Sequence, residues 1–339
     1  MNESPDLNGT ERSDMEGKML QLIIVLALVL SGFAGCLEEE SGNDDDDNVP
    51  SSIPAPLWEV GKFWVYAFAT PDETDIAARM VVAPDDGTNH LIGAASAEEA
   101  RRHAILNYNP LLGRVELGNF SVYENGEPQS LFLFPLSVGN TWTFNFLEVE
   151  GWQASVESIR KASIPAMGDT ILVNIRATAP GGETMEYSFD VTAGWVHLMR
   201  AWTASGDTIV NMTLVSHGSG HSGTVYFMRG YNHFDETYSA PAVDVYDTFL
   251  DSGHPDHGAF DTLVIYLNYR IGSGSSGSMT LKDNEAAEAY TKTWTAEETD
   301  NQLDSVVDHS GEYSVTVNLE GSCDLRVRIA GGIMYSWDV

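Results

Sequence analysis

Apolar and polar residues alternate along most of the chain after residue 56, in short segments bounded by Gly, Asp or Pro. Representative segments are KFWVYAFA, DTILVNIRATA, TMEYSFDV and GEYSVTVNLEG. This period of two, filled with β-branched and aromatic residues, predicts β-strands. One segment differs, because Ser96 and Glu99 in SAEEARRHAIL have the spacing of a helix-capping box. We therefore expect a mainly β fold with one helix, near residues 96–106, that crosses over a sheet.

A run of small polar residues, SHGSGHSG at 216–223, interrupts the strand pattern and predicts a domain boundary. Before it, residues 56–216 predict an antiparallel β-sheet or half-barrel domain that contains the helix. After it, residues 222–339 predict a β-sandwich domain. Within that second part, GSGSSGS at 272–278 is interpreted as a hairpin loop. The closing segments HSGEYSVTVNLEG and LRVRI resemble the final hairpin of jelly-roll or GOLD-like accessory domains. Domains of that kind act as binding modules or spacers more often than as enzymes.

Two segments of the first part echo each other, PLWEVGKFWVYAF at 56–68 and PLSVGNTWTFNF at 135–146. Each predicts a glycine turn followed by a strand that directs a row of aromatic side chains to one face. Packing in a core is one explanation of these rows, and a ligand-stacking platform or an apolar cavity is the alternative. The candidate ligand-stacking residues are Trp64, Tyr66, Trp142 and Phe144.

The N-terminal segment KMLQLIIVLALVLSGFAGCLEEE contains an apolar run from Leu20 to Leu30, shorter than the roughly 20 residues of a membrane-spanning helix. A basic residue, a short apolar run and small residues together indicate an export signal. The order apolar, small, small, Cys36 resembles the lipobox of prokaryotic lipoproteins. The resemblance implies cleavage after residue 35 and lipidation of Cys36, which places the protein on the outer face of the cytoplasmic membrane. An uncleaved anchor helix is the alternative, and Met15 and Met19 are alternative starts.

Acidic residues dominate the composition. The chain has 50 Asp and Glu against 17 Lys and Arg, a formal net charge of −33. Residues 36–55 combine an acidic run with Ser and Pro and predict a solvated tether. Nucleic acid is excluded as an expected partner, because phosphate backbones require a basic surface. Signal, acidic tether and acidic β-rich body together resemble surface lipoproteins of marine euryarchaea. This resemblance implies a location at the cell surface. Besides the membrane itself, we expect an envelope protein, a glycan or a lipid as the partner or ligand.

Five of the nine histidines lie between residues 217 and 257, with several aspartates among them. His254, Asp256 and His257 are the best candidate metal ligands, for Zn²⁺ or for Ca²⁺. Histidines in solvated loops are the favoured interpretation of the whole cluster, so no cofactor is expected. The single cysteine of the folded part, Cys323, is expected to be a small buried residue.

Sequence motifs of catalysis are missing: the chain has no nucleophile elbow, no metalloprotease motif and no phosphate-binding loop. Asn119 and Asn211 begin glycosylation sequons. We therefore expect a non-enzymatic binding or structural role at the cell surface. The alternatives are a carrier of apolar ligands and a metal-dependent hydrolase that uses the His and Asp residues of 217–257.

Overall fold

The structure is a computed structural model that describes residues 49–69, 76–254 and 257–339. The signal segment, Cys36, most of the tether and Asp256 lie outside the described residues. Residues 49–339 form one compact unit. The described part is built almost entirely from antiparallel strands, with one α-helix, α1, at Ala97–Leu106. The predicted mainly β class with a single helix is therefore confirmed.

The strands are numbered in chain order. Those up to residue 218 are β1 (Phe63–Ala69), β2 (Ile76–Ala83), β3 (Asn89–Ala94), β4 (Gly113–Glu116), β5 (Val122–Glu124), β6 (Glu127–Gln129), β7 (Thr141–Phe146), β8 (Val149–Ile164), β9 (Gly168–Thr178), β10 (Thr184–Asp190), β11 (Trp195–Trp202) and β12 (Thr208–Gly218). The remaining strands are β13 (Thr224–Ser239), β14 (Ala242–Asp251), β15 (Thr262–Ile271), β16 (Ser276–Lys282), β17 (Glu288–Trp294), β18 (Glu298–Val307), β19 (Gly311–Glu320) and β20 (Cys323–Asp338).

The strands form a 16-stranded sheet and a 4-stranded sheet. The large sheet has the order β18-β15-β20-β13-β3-β2-β1-β12-β11-β10-β9-β8-β7, with β4, β5 and β6 extending from β3. The small sheet has the order β14-β19-β16-β17. The large sheet passes from the first predicted domain to the second where β13 pairs with β3, through Tyr226 and Ala94. The two-domain division at 216–222 stays a prediction.

The repeated sequence phrase is a repeated structure. Gly61 and Gly139 both have a left-handed backbone, with φ of +83° and +88°. The next residue after each glycine closes the turn, because Lys62 N–H donates to Glu59 O and Asn140 N–H donates to Ser137 O. Left-handed backbone at this turn position favours glycine, so the sequence prediction of a glycine turn before an aromatic strand is confirmed at both places.

Two hydrophobic cores lie on the two sides of the junction between β3 and β13. The first contains buried side chains from β1 through β12, including Trp64, Tyr187 and Trp195. The second lies between the small sheet and the strands β13, β15 and β20 of the large sheet, and it forms the predicted sandwich. Cys323 is buried in this second core, as expected.

Strand β15 explains the position of the helix. Its segment LVIYL is buried without interruption. Leu263 and Ile265 face the sandwich core, whereas Val264 and Tyr266 belong to a third cluster that includes Ala100 of α1. A strand covered on both faces has an apolar run in place of alternation. The helix therefore packs mainly over β13, β15 and β20, all after residue 222, whereas the sequence prediction placed the sheet beneath it within residues 56–216.

Two details of the predicted sandwich are wrong. The segment 272–278 joins β15 of the large sheet to β16 of the small sheet, so it is a connection between layers and no hairpin. Strands β19 and β20 likewise lie in different sheets and do not pair with each other. Consecutive strands that alternate between layers are usual in sandwiches, and sequence spacing does not distinguish them from hairpins.

No helix among the described residues is both long and apolar enough to cross a membrane.

Candidate functional site

A cavity of about 360 Å³ lies where the helix, the short strands and β13 meet. Its lining comes from the last turn of α1, the start of β4, the β5–β6 hairpin and the middle of β13, with His254 from the segment after β14. The volume lies at the lower end of the usual range for small-molecule sites, about 300–1,000 Å³. The cavity is therefore the candidate binding site of the described part.

The cavity walls follow from local sequence signals. Asn125 and Gly126 both have positive φ and close a two-residue turn in which Glu124 pairs with Glu127. An Asn-Gly turn of this kind matches the twist of a β-hairpin. On another wall, Gly230 of β13 lets α1 approach closely, because a Cβ there would lie 2.9 Å from the Cβ of Ala104.

Two arginines give the cavity a charge opposite to that of the chain. Arg114 of β4 lies over the ring of Tyr123, 4.3 Å from the ring centre. Arg229 of β13 lies half-buried, and its Nε has no hydrogen-bond partner among the described residues. No carboxylate belongs to the described residues that line the cavity. In a chain of net charge −33, this is a locally basic recess.

His103 adds a neutral polar group to the cavity wall. It lies in the last turn of α1 and is only 8% exposed. Burial lowers the pKa of His103 to about 4, so the imidazole is neutral at physiological pH. Its Nδ1 has no hydrogen-bond partner among the described residues. A neutral imidazole carries one N–H donor and one acceptor, so Nδ1 can serve as either one, according to the tautomer.

Two of the three predicted metal ligands, His254 and His257, lie at or beside this cavity, and Asp256 is outside the described residues. His254 lines the cavity, and the ring centres of His254 and His257 are 4.6 Å apart. The side chain of His257 contacts Arg229, whose guanidinium donates to the Nε2 of His257. A guanidinium beside this nitrogen competes with any cation for it. Among the described residues, no group of three or more His, Cys, Asp or Glu side chains has an arrangement that would hold a metal ion.

A buried polar cluster lies next to the cavity wall. Asp251, at the end of β14, is fully buried, and its Oδ1 lies 3.5 Å from Nε2 of His233 on β13. The same oxygen accepts from Gly253 N–H, at 2.8 Å. Burial, reinforced by the neighbouring Asp308, raises the pKa of Asp251 to about 6, and burial lowers the pKa of His233. Both shifts favour the neutral forms, so the contact joins two buried neutral polar groups more than it forms an ion pair, and His233 Nε2 has no hydrogen-bond partner among the described residues.

The other histidines and aspartates of the 217–257 segment are distributed over separate elements. His217 is paired with Trp64 across β12 and β1, so the prediction of a loop histidine is wrong at this position. Burial lowers the pKa of His217 and of His221. Asp235 of β13 accepts hydrogen bonds from two arginines of β20, Arg326 and Arg328.

The candidate ligand-stacking residues lie mainly in the first core. Trp64 and Tyr66 are fully buried, and both donate to main-chain carbonyls of the β10–β11 region, at 2.9 Å and 2.5 Å. Phe144 is buried in the same cluster, and Trp142 is half-buried against it. These rings contact other protein side chains, which agrees with the core interpretation of the aromatic rows.

The two sequons differ in their surroundings. Asn119 is exposed in the turn between β4 and β5, and its Oδ1 accepts from the main-chain N–H of Ser121. Asn211 is half-buried within β12, and its Oδ1 accepts from Nε of Arg200 at 3.3 Å. Glycosylation of either residue stays a prediction.

Sequence reasoning did not identify the cavity residues other than His254. The available local signal was the Asn-Gly dipeptide at 125–126, which is a strong hairpin indicator between apolar segments. His103, Arg114 and Arg229 carry no motif, because they are brought together by the pairing of β3 with β4 and with β13.

Comparison with known proteins leaves the family open. No family model matches the sequence, and no curated protein matches it. Among solved structures, an isomalto-dextranase from Arthrobacter globiformis T6 in complex with panose has 10% identity and a TM-score of 0.17, over 46% of this chain and 36% of that chain. A glycoside hydrolase family 43 arabinoxylan arabinofuranohydrolase from Bacillus subtilis has 10% identity and a TM-score of 0.18, over 76% and 66%.

A third similar structure is infectious bursal disease virus, Gx strain, with 9% identity and a TM-score of 0.17, over 87% of this chain and 78% of that chain. The chain spans about a third of the length of the dextranase and about two thirds of the arabinofuranohydrolase. TM-scores of 0.17 and 0.18 are too low to support an argument about fold or function from these proteins.

Proposed function

We propose that this protein is a lipoprotein, anchored through Cys36 on the outer face of the cytoplasmic membrane, that binds a small polar ligand without chemical conversion. The observation that carries the proposal is the lining of the cavity beside α1. The described residues that line it offer hydrogen-bonding groups in a recess of about 360 Å³, and they include no Ser, Thr, Cys, Lys, Asp or Glu side chain. The anchoring part rests on the sequence pattern up to Cys36.

The lining favours binding over catalysis. Among the described residues around the cavity there is no Ser, Thr, Cys, Lys, Asp or Glu side chain. Covalent catalysis requires a nucleophile with an adjacent base, and glycoside hydrolysis ordinarily requires a pair of carboxyl groups. What the cavity offers is guanidinium, imidazole, amide and aromatic groups, which orient a ligand.

The two alternative functions have less support. A carrier of apolar molecules needs apolar rings that face a cavity, whereas Trp64 and Tyr66 are covered by protein. A metal-dependent hydrolase needs a convergent ligand set, and the described residues contain none.

The experiment is native mass spectrometry of the full-length protein released by detergent from membranes of its own cells. We expect a lipid mass at Cys36 and a co-purifying small molecule. A Cys36→Ser variant has no thiol to carry the lipid and should no longer partition into the detergent phase. An Asn232→Trp variant, whose larger side chain fills the cavity from β13, should no longer co-purify with the small molecule. Thr237→Trp, exposed on the same strand and away from the cavity, is the matched control. Equal ligand content in the unmodified protein, the Asn232→Trp variant and the Thr237→Trp variant would refute the binding role.

A further inference from the structure

We infer that the cavity beside α1 is an oxyanion site, and that its ligand is a small hydroxylated acid about the size of a monosaccharide. This inference rests on the proposed function, because it names the class of ligand that the same cavity would take. It is carried by the positions of Arg114 and Arg229, by the buried Nδ1 of His103, which has no partner among the described residues, and by the amides of the lining.

The charge argument comes first. Arg114 and Arg229 line the cavity and no described carboxylate does. Carboxyl groups are nearby on the same hairpin, but Glu124 is directed to the main chain, where its Oε1 accepts from Glu148 N–H at 2.9 Å. Chains with this many acids repel anions over most of their surface, so a recess lined by guanidinium groups is where an anion would find a favourable potential.

The geometry of Arg229 supports the same class of ligand. One side of its guanidinium is used, because a terminal nitrogen contacts His257. Its Nε has no partner among the described residues, although a buried donor without a partner costs about 1–3 kcal/mol. A carboxylate, sulfate or phosphate oxygen satisfies such a donor, and a planar carboxylate suits the fork of a guanidinium best.

His103 and the neighbouring amides would select among anions. Because His103 is neutral, its Nδ1 can either donate a hydrogen bond to an oxygen or accept one from a hydroxyl group, according to the tautomer. Asn107, Asn125 and Asn232 also line the cavity, and each amide offers both donors and an acceptor. The half-buried ring of Tyr123, already covered by Arg114, gives a flat apolar contact. Hydroxyl groups on the ligand would use the amides, and its acid group would use the arginines.

The experiment is isothermal titration calorimetry on the full-length protein in detergent, with glucuronate, glucose and sulfate as probes. Glucuronate and glucose differ in a single carboxylate, so their comparison isolates the oxyanion without any mutation. We expect glucuronate to bind at least about tenfold more tightly than glucose, since charge-assisted hydrogen bonds are worth roughly a tenfold to hundredfold change in affinity. Sulfate binding that equals glucuronate binding would support the oxyanion site but would replace the hydroxylated acid by a free inorganic anion as its ligand.

Variants then locate the site. Arg229→Ala should reduce glucuronate affinity about 10- to 100-fold, and Arg229→Lys should recover part of it, because Lys keeps the charge and loses the fork. If the Arg229 variant is unstable, Arg114→Ala, at an exposed position on the β4 wall of the cavity, should also reduce glucuronate affinity. Arg160→Ala, an exposed arginine on β8, removes the same charge far along the sheet order and should leave binding unchanged.

Two results would overturn the inference. Equal affinity for glucose and glucuronate would refute the oxyanion class while leaving a binding role intact. No binding of glucuronate or sulfate at millimolar concentration, together with a co-purified neutral ligand, would refute it as well. Loss of the co-purified ligand from every variant, controls included, would instead count against the proposed function.

Discussion

A single methyl group on β13 should loosen α1 from the sheet. Gly230 lies beneath Ala104, and a Cβ at position 230 would lie 2.9 Å from the Cβ of Ala104 and would press on its carbonyl oxygen. Ordinary carbon–carbon contacts are about 3.5–4.0 Å, so the helix would have to move away by up to about 1 Å. The perturbation to test is therefore Gly230→Ala.

The magnitude follows from two opposing effects. Overpacking of this kind costs about 1–3 kcal/mol. Alanine also restricts the unfolded chain more than glycine, which returns about 0.4–1 kcal/mol. With central values of about 2 and about 0.7 kcal/mol, the net destabilisation is roughly 1.3 kcal/mol. At about 2–4 °C per kcal/mol, the melting temperature should fall by about 3–5 °C.

Thermal unfolding followed by intrinsic tryptophan fluorescence is the assay, with Gly118→Ala as the matched control. Gly118 lies in the turn after β4, its backbone is not left-handed, and a Cβ there meets nothing within 4 Å. The control should be neutral or slightly stabilising. If Gly230→Ala melts at or above the temperature of Gly118→Ala, the close approach of α1 to β13 is refuted.

Three further predictions concern stability. The pKa of Asp251 is raised to about 6 in the folded protein from the usual 3.8. Between these pH values the folded protein therefore binds more protons than the unfolded protein, so its stability should fall as the pH rises through that window. Asp251→Asn should therefore raise the melting temperature at about pH 8 more than at about pH 4, and an equal shift at both would contradict this. Ser96→Ala removes the hydroxyl that accepts a hydrogen bond from the Glu99 N–H in the first turn of α1, and it should lower the free energy of unfolding in urea by about 1 kcal/mol. An unchanged free energy of unfolding would show that this cap does not stabilise the helix. Tyr66→Phe leaves the carbonyl of Val196 without its buried partner and should cost about 1–3 kcal/mol in the same assay, a prediction refuted by unchanged stability.

The strands that sequence reasoning found are those with one clear buried face. β1, β9 and β19 alternate between buried and less buried residues, and each appears in the sequence as an alternating segment. The edge strand β18 was missed, because its sequence ETDNQLDSVV is polar and none of its residues is fully buried. Strand β8 was missed beyond its first residue, Val149, and its second half, ESIRKASI, is polar with no fully buried residue. A strand held mainly by main-chain pairing leaves little trace in its side chains.

The helix was predictable and the cavity was not. The capping spacing of Ser96 and Glu99 is local, and the structure has the hydrogen bond that it implies, from Glu99 N–H to the Ser96 hydroxyl. Arg114 and Arg229 are 115 positions apart in the sequence. Only the strand order, in which β3 pairs with β2, β4 and β13, brings them to one recess. Alternation identifies which residues face a core, but it does not specify which strands are neighbours.

The junction between β3 and β13 has a consequence for how the molecule opens. The large sheet is continuous there through a single registered pair, Tyr226 with Ala94, and α1 packs across both strands. Hydrogen exchange should therefore report two levels of protection, one for each core, with the amides of α1 following the weaker core. A ligand in the adjacent cavity would touch elements from both sides of the junction and would link their opening, so that the two levels merge into one cooperative unit.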